Sequence, residues 1–482
     1  MVGRPKLPTS CTRHRTSITP SVYRTTCTCD STAPATMVQW PAKWRRRSVA
    51  ITPVEAAASA TADYQRRSEE LNVPNSQSAL LLPAIRTPYE LKLDHTIPSI
   101  QHDHELLIQV SSVGLNPIDW KAPDFNFGIP SLPYISGREL VGTVVQAPTA
   151  SNTRIRNGDV VIVPSTDYRD LRKAAFQEYS IASSFNAIRL PHSIPQAQGA
   201  ILGVSFVSAI LALGINMGVD FSSIENGPDL LAIVRSIDPS RLPADIRNEC
   251  LDGITTEERA KQGDFLVVWG GSSTCAHTLK QLARLAGLRI ISVVDTAKHG
   301  LRLSSAEPVR PDLLVDAHDP ARAVAIIRAA TKNTARFGFD TQGKDTAAHL
   351  LRALASKTLD ALPEDESTFA STKPTAERLP TPPSTPHEIS TSPRSHLVGL
   401  TGVPKTNIPE DVALHNVPIK LFHEIPEVGE ALCAWCERLL AKGLLLPPEV
   451  VGTVEGLEGI NGGLERMRRR EVSGGRLVAV LR

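Results

Sequence analysis

The chain has 482 residues, 41% of them hydrophobic and 21% charged, with a formal net charge of +2. That length accommodates two or three domains around a sizeable core, and the composition is that of a globular protein. A near-neutral charge argues against nucleic acid or a membrane surface as partner, and seven cysteines in so long a chain form no disulfide framework and point to a reducing compartment.

The first 78 residues differ from the rest. Through Val54 the chain carries one acidic residue, Asp30, against nine Lys or Arg, among many Ser, Thr and Pro. Such a segment buries too little apolar surface to offset the entropy of ordering, so residues 1–78 are expected to be a disordered or targeting extension. An Arg-rich, acid-poor N-terminus fits a mitochondrial transit peptide. Pro5, Pro8 and Pro20 interrupt any long amphipathic helix and favour a plain extension or an over-long gene model, with the protein in the cytoplasm.

From Ala79 the pattern turns β-rich. Leu106–Val110, Leu140–Val145 and Asp159–Val163 read as strands separated by Gly, Pro and Asn, and residues 79–200 are read as the first part of a β domain. The apolar run Ile201–Val219 lacks charge and approaches bilayer-spanning length, yet its Ser205, Ser208, Asn216 and glycines suit a buried helix better. Residues 201–446 then alternate strand with helix, as a parallel sheet with crossover helices requires. The strands are Phe265–Trp269, Arg289–Val294, Leu313–Asp316, Arg336–Asp340 and His396–Thr401, with short helical stretches in Asp220–Gly263.

A Pro/Ser/Thr-rich segment, 362–395, reads as a flexible surface insertion. Cys27/Cys29 and Cys433/Cys436 sit at metal-pair spacing, but the second pair falls on the core stripe of an amphipathic helix, and no further Cys or His pair stands at zinc spacing. His102, His104 and His318 are expected at the surface. Residues 447–482 supply a strand, a helix and the closing strand Gly475-Arg-Leu-Val-Ala-Val-Leu.

Chemistry concentrates where Phe265–Trp269 runs into Gly270-Gly271-Ser272-Ser273-Thr274 and then a helix closed by Gly287. A strand turning into a helix N-terminus offers free N–H donors and close backbone approach to a dinucleotide pyrophosphate. The two glycines permit the tight turn, and the three hydroxyls add donors. Ser273 and Ala276 replace glycines of the usual G-x-G-x-x-G pattern, so the signal rests on the surrounding strand–helix–strand unit. The next strand ends at Asp295, an acid of the kind that holds a ribose diol and favours NAD. Lys298, His299 and Arg302 follow, and bases there suit the 2′-phosphate of NADP.

Five further stretches carry a family resemblance. They are Val113-Gly-Leu-Asn-Pro-Ile-Asp-Trp-Lys121, Gly137-Arg-Glu-Leu-Val-Gly-Thr-Val-Val145, Gly158-Asp-Val-Val161, Ala175-Phe-Gln-Glu-Tyr-Ser180 and Val472-Ser-Gly-Gly-Arg-Leu-Val. With the glycine–serine loop they resemble the medium-chain dehydrogenase/reductase superfamily, and most closely its zinc-lacking branch of quinone reductases and fungal trans-acting enoyl reductases. The resemblance implies an α/β protein: a GroES-like, partly barrelled β domain (79–200 and 447–482) around an inserted Rossmann parallel α/β domain (201–446). The active site would lie in the cleft between them.

Zinc-dependent relatives have a Cys and a His ligand where this chain resembles them at Asn116 and Arg138. An arginine cannot be a zinc ligand, and the four-cysteine structural lobe is missing, so no metal is expected. Without a Lewis acid, alcohol oxidation loses its usual stabilisation of the alkoxide, whereas reducing an activated C=C or a quinone needs less. The resemblance makes Lys121 the first candidate for polarising the substrate or delivering a proton, and Tyr168 the second; Asn116 and Asp119 would shape the pocket.

The expected function is NADPH-dependent reduction of an α,β-unsaturated carbonyl, small or thioester-bound, with NADH as the other possible donor. A quinone reductase is the alternative, and a nucleotide-binding regulator without catalysis is the alternative of another class. Related reductases occur both as monomers and as homodimers.

Overall fold

The computed structural model describes residues 73–148, 153–165, 167–356 and 393–481, all within one compact unit. Most of the N-terminal extension, residues 362–392 of the insertion, and Cys27 and Cys29 lie outside the described residues.

The first lobe is built on β1 (Gln77–Leu82), β2 (Glu90–His95), β3 (Glu105–Gly114), β4 (Tyr134–Ile135), β5 (Glu139–Gln146), β6 (Val160–Pro164), β7 (Tyr179–Ser183) and β8 (Ile188–Arg189). A small antiparallel sheet runs β2-β1-β4. The ten-residue β3 organises the larger sheet, pairing with both β5 and β7. It can do so because it is buried along most of its length.

The second lobe holds six parallel strands: β9 (Phe265–Trp269), β10 (Arg289–Val294), β11 (Leu313–Asp316), β12 (Phe337–Asp340), β13 (Ser395–Gly399) and β14 (Val412–His415). Their spatial order is β11-β10-β9-β12-β13-β14. The chain winds outward from β9 in one direction, returns, and winds the other way. The two directions part between β9 and β12, where open α/β sheets form their ligand crevice at the strands' C-terminal ends. This is a Rossmann domain beside a GroES-like domain.

The closing segment rejoins the first lobe. β15 (Val450–Glu455) pairs in parallel with β16 (Arg476–Val480), which pairs antiparallel with β3 and completes the order β15-β16-β3-β5-β6-β8. Residues 450–480 therefore sit directly on the strand that leads into the Asn116 loop.

The apolar run is core. Gln196–Asn216 is the one helical stretch among the described residues long and apolar enough to cross a membrane, and 89% of its most apolar window is buried within the protein. Phe206, Val207 and Ile210 are fully buried, and Ser205 Oγ meets Thr278 Oγ of the helix Thr274–Leu285 at 3.0 Å. Cys433 and Cys436 are fully buried on Pro426–Ala441, and no group of three or more His, Cys, Asp or Glu among the described residues could hold a metal. His102, His104 and His318 are exposed.

Candidate active site

The glycine–serine loop follows β9. Gly270 adopts φ +75°, and a Cβ there would stand 2.2 Å from Thr341 Oγ1, so no other residue fits without moving the turn after β12. That threonine donates to the Gly270 carbonyl at 3.0 Å, tying together the two loops at the topological switch. A Cβ at Gly271 would stand 2.8 Å from Ser292 Oγ. The helix begins at Thr274, earlier than its hydrophobic pattern indicates, because Ser273 caps it: its Oγ accepts from the Ala276 N–H at 3.2 Å.

The three hydroxyls thus have different roles. Ser273 is committed to the cap, and Thr274 Oγ1 accepts from Arg476 Nη2 at 2.6 Å. Ser272, partly exposed, keeps its hydroxyl free of the described residues. First-turn amides at Thr274 and Cys275 have no intrahelical acceptor. Two free amides, one free hydroxyl and a helix N-terminus suit a pyrophosphate.

Beneath the loop lies a feature that the glycine pattern did not disclose. Lys280 is fully buried, and its Nζ donates to the Gly271 carbonyl at 2.9 Å. Burial, and then the nearby Arg302, push its pKa down to about 7. Ser292 Oγ and His277 Nε2 are buried near it without partners. The signal was present in the sequence as a lysine in the middle of a helix that otherwise reads Leu279, Leu282, Ala283 on its buried side.

Arg476, on β16, joins the lobes. Its Nη1 bonds Asn116 Oδ1 at 2.5 Å and pairs with the Glu139 carboxylate, while Nη2 reaches Thr274. Glu139 is fully buried and also accepts from Asn116 Nδ2 at 3.0 Å and from the Val204 N–H at 2.9 Å. Burial raises its pKa, with the opposing pull coming first from Arg476. Neither member of this pair was among the residues expected to act, although both stand inside quoted motifs.

Asn116 also opens the helix Pro117–Phe125. Its N–H donates to Asp119 Oδ2 at 2.7 Å. Asp119 is fully buried, its Oδ1 has no partner, and burial pushes its pKa up to about 7. Tyr89 Oη donates to the Asp119 carbonyl at 2.7 Å. Asp119 therefore holds the loop from inside and does not line a solvent-facing pocket.

Across from Asp119 stands Arg138. Its Nη2 donates to Tyr134 Oη at 3.1 Å, and its guanidinium lies 5.6 Å from the Tyr168 ring centre. Tyr168 is 39% exposed, and its carbonyl accepts from Tyr134 Oη at 3.2 Å. The structure thus brings Tyr168 to the Asn116 side of the site. Lys121 is partly exposed, and its ammonium stands 5.7 Å from the neighbouring Trp120 ring, with no ion pair among the described residues.

At the far end of the crevice Asp295 caps the helix Thr296–Ser305, accepting from the Lys298 N–H at 2.9 Å. Its other oxygen lies 3.7 Å from His318 Nε2. The His318 pKa is raised by its bond to Asp316 and then by the charges of Asp316 and Asp295. The Lys298 side chain is exposed.

A GroES-like lobe, joined through Arg476 to the loop after the first strand of a Rossmann lobe, has the medium-chain dehydrogenase/reductase fold. Residues 102–192 match the family model of the alcohol dehydrogenase GroES-like domain. The trans-enoyl reductase himH of Aspergillus japonicus is 28% identical over 41% of this chain, which spans 48% of that relative's length. The trans-enoyl reductase eqxC of Fusarium heterosporum is 25% identical over 81% of this chain and 95% of its own. Among solved structures, a mycobacterial quinone oxidoreductase superposes with a TM-score of 0.55 at 18% identity, covering 84% of this chain and all of its own. The CurK enoyl reductase does so with a TM-score of 0.55 at 13% identity, with the same coverage. In sequence and fold the chain is similar to medium-chain dehydrogenases/reductases, among them quinone reductases and trans-enoyl reductases.

Proposed function

We propose that the chain is a zinc-independent, NAD(P)H-dependent oxidoreductase that reduces a C=C bond conjugated to a carbonyl, on a small molecule or a thioester. The observation that carries this reading is the contact of Arg476 with Thr274, Asn116 and Glu139. One cation links the start of the helix Thr274–Leu285 to the Asn116 loop. The names of the related trans-enoyl reductases support the enoyl substrate.

Gly270, Gly271, Ser272 and the Thr274 and Cys275 amides would hold the pyrophosphate, with Arg476 as the neighbouring cation. When bound, the nicotinamide supplies a hydride to the β-carbon. The chain must then stabilise negative charge on the carbonyl oxygen and provide a proton for the α-carbon. Tyr168 is the favoured proton donor because its ring is exposed beside Arg138; Lys121 is the second candidate. Zinc independence rests on donor chemistry: Arg138 cannot be a ligand, and both polar atoms of the Asn116 amide are taken by Glu139 and Arg476.

NADPH is the proposed donor, with the Lys298 side chain free to meet a 2′-phosphate and His318 offsetting Asp295. Fluorescence titration with NADPH and NADH tests this, followed by turnover on crotonyl-N-acetylcysteamine and on a benzoquinone. Absence of binding by either nucleotide would remove the enzyme reading. A quinone reductase, the reading supported by the name of the mycobacterial fold neighbour, requires turnover on the quinone alone. Binding without turnover on either acceptor would instead favour a nucleotide-binding regulator.

A further inference from the structure

Arg138 is a buried cation with no direct ion pair among the described residues, although the buried Asp119 carboxyl lies within reach of its charge. It is only 8% exposed, yet no carboxylate among the described residues lies within ion-pair distance of it. Its sole hydrogen bond to the described residues runs from Nη2 to Tyr134 Oη at 3.1 Å. Nε is sealed from solvent with no partner. Nη1 also makes no hydrogen bond to the described residues. A guanidinium presents five donors; this one uses a single N–H on a neutral hydroxyl.

Removing such a charge from water is costly unless partners compensate. The other arginines near the site have them: Arg476 has Glu139, and Arg172 has Glu105 and Asp170. Arg138 is instead held in place by its backbone. Gly137 before it adopts φ +96°, a Cβ there would stand 2.5 Å from the Phe176 ring, and the Arg138 carbonyl accepts from the Ser165 N–H at 2.7 Å. A cation fixed in this way, 8% exposed and with N–H groups that no described residue uses, is poised for an oxygen that the protein does not itself provide.

Position gives that oxygen its chemistry. The next residue, Glu139, bonds the arginine that touches the cofactor helix, so Arg138 stands one residue from the seam between the lobes. The exposed Tyr168 ring flanks it.

We infer that Arg138 is a catalytic residue: its free N–H binds the carbonyl oxygen of the unsaturated substrate and stabilises the negative charge that gathers there during reduction, the task that a metal performs in the zinc enzymes. This rests on the reductase reading above. Arg138 keeps its own protons throughout; the α-carbon's proton comes from Tyr168 or solvent. The substrate class that follows is an enone, enal or enoyl thioester, whose carbonyl oxygen can accept such a bond.

The test uses 4-(dimethylamino)cinnamaldehyde, whose absorption moves to the red when its carbonyl oxygen is bound by an electrophile. The full chain loaded with NADP⁺ should produce the red shift. Arg138→Met and Arg138→Gln should abolish it, and Arg138→Lys, which keeps the charge without the fork, should restore part of it. Turnover of crotonyl-N-acetylcysteamine should fall by about 10²–10³ in kcat in the Met and Gln variants. NADPH affinity should stay within about twofold in all three, which also shows that they fold. A wild-type chain that binds NADPH but gives no shift would overturn the assignment of Arg138 alone, as would an Arg138→Met or Arg138→Gln variant that keeps both shift and turnover. Failure of the wild-type chain to bind any nicotinamide nucleotide would overturn the reductase reading, and this inference with it.

Discussion

Arg476 and Glu139 meet inside the protein as a buried ion pair, although they stand 337 positions apart in the chain. The arginine spends its second nitrogen on Thr274, the first residue of the cofactor helix. One side chain therefore joins a buried ion pair to the start of the helix that follows the glycine loop.

Arg476→Met should cost about 3–5 kcal/mol, because it strands the Glu139 charge in a site that water does not reach. NADPH should bind at least tenfold more weakly. The double variant Arg476→Met/Glu139→Gln removes both charges and should recover most of the stability while binding remains weak. Urea unfolding and fluorescence titration, run on all three proteins, separate the two effects; equal recovery of both would deny Arg476 a part in the cofactor site.

Gly270→Ala should damage binding more than it damages folding. The substitution forces an L-residue to φ +75° and drives a methyl group toward Thr341. Gly263 is a control with φ +90° and nothing near its Cβ position, so Gly263→Ala carries only the backbone strain, about 1–2 kcal/mol. Loss of NADPH affinity in the first variant and not the second would show that loop shape, not strain, is what matters.

Lys280 should make stability rise with pH. Its pKa falls from 10.5 to about 7 in the fold. Between those values the unfolded chain holds a proton that the native protein has released, so stability increases across the window, by an amount on the order of 4 kcal/mol. Lys280→Met should flatten that slope in urea titrations from pH 7 to 10. The same variant leaves the Gly271 carbonyl without its donor, so weaker nucleotide binding should accompany it.

Asp119 should act in the opposite sense. Its pKa rises from 3.8 to about 7 in the fold, through burial. Between those values the native carboxyl keeps a proton that the unfolded chain has lost, so stability falls as pH rises, again on the order of 4 kcal/mol. Asp119→Asn retains an acceptor for the Asn116 N–H and should be the more stable protein at pH 8 but not at pH 4. A wild-type protein with no such slope from pH 4 to 7 would show that the buried carboxyl is compensated in a way its contacts do not reveal.

Much of the Rossmann lobe was legible because parallel strands covered on both faces read as unbroken apolar runs. Phe265–Trp269, Arg289–Val294 and Leu313–Asp316 appear in the fold with the limits that the sequence indicates. β14 was not legible: four residues following a stretch of turns carry no run long enough to stand out. Nor was β2, an edge strand whose residues are mostly exposed and show no alternation.

At the site, local chemistry was readable and pairing was not. Two glycines before a helix announce a turn that approaches a phosphate, because φ and the helix terminus are properties of adjacent residues. That Ser273 would be spent on a cap, that Lys280 would lie beneath Gly271, and that Arg138 would be buried beside Tyr134 without a direct ion pair are relations between segments. Arg476 reaches Glu139 because β16 pairs with β3, and β3 pairs with β5. Only that closure removes water from both charges, and the removal of water turns two ordinary polar residues into a joint between the lobes.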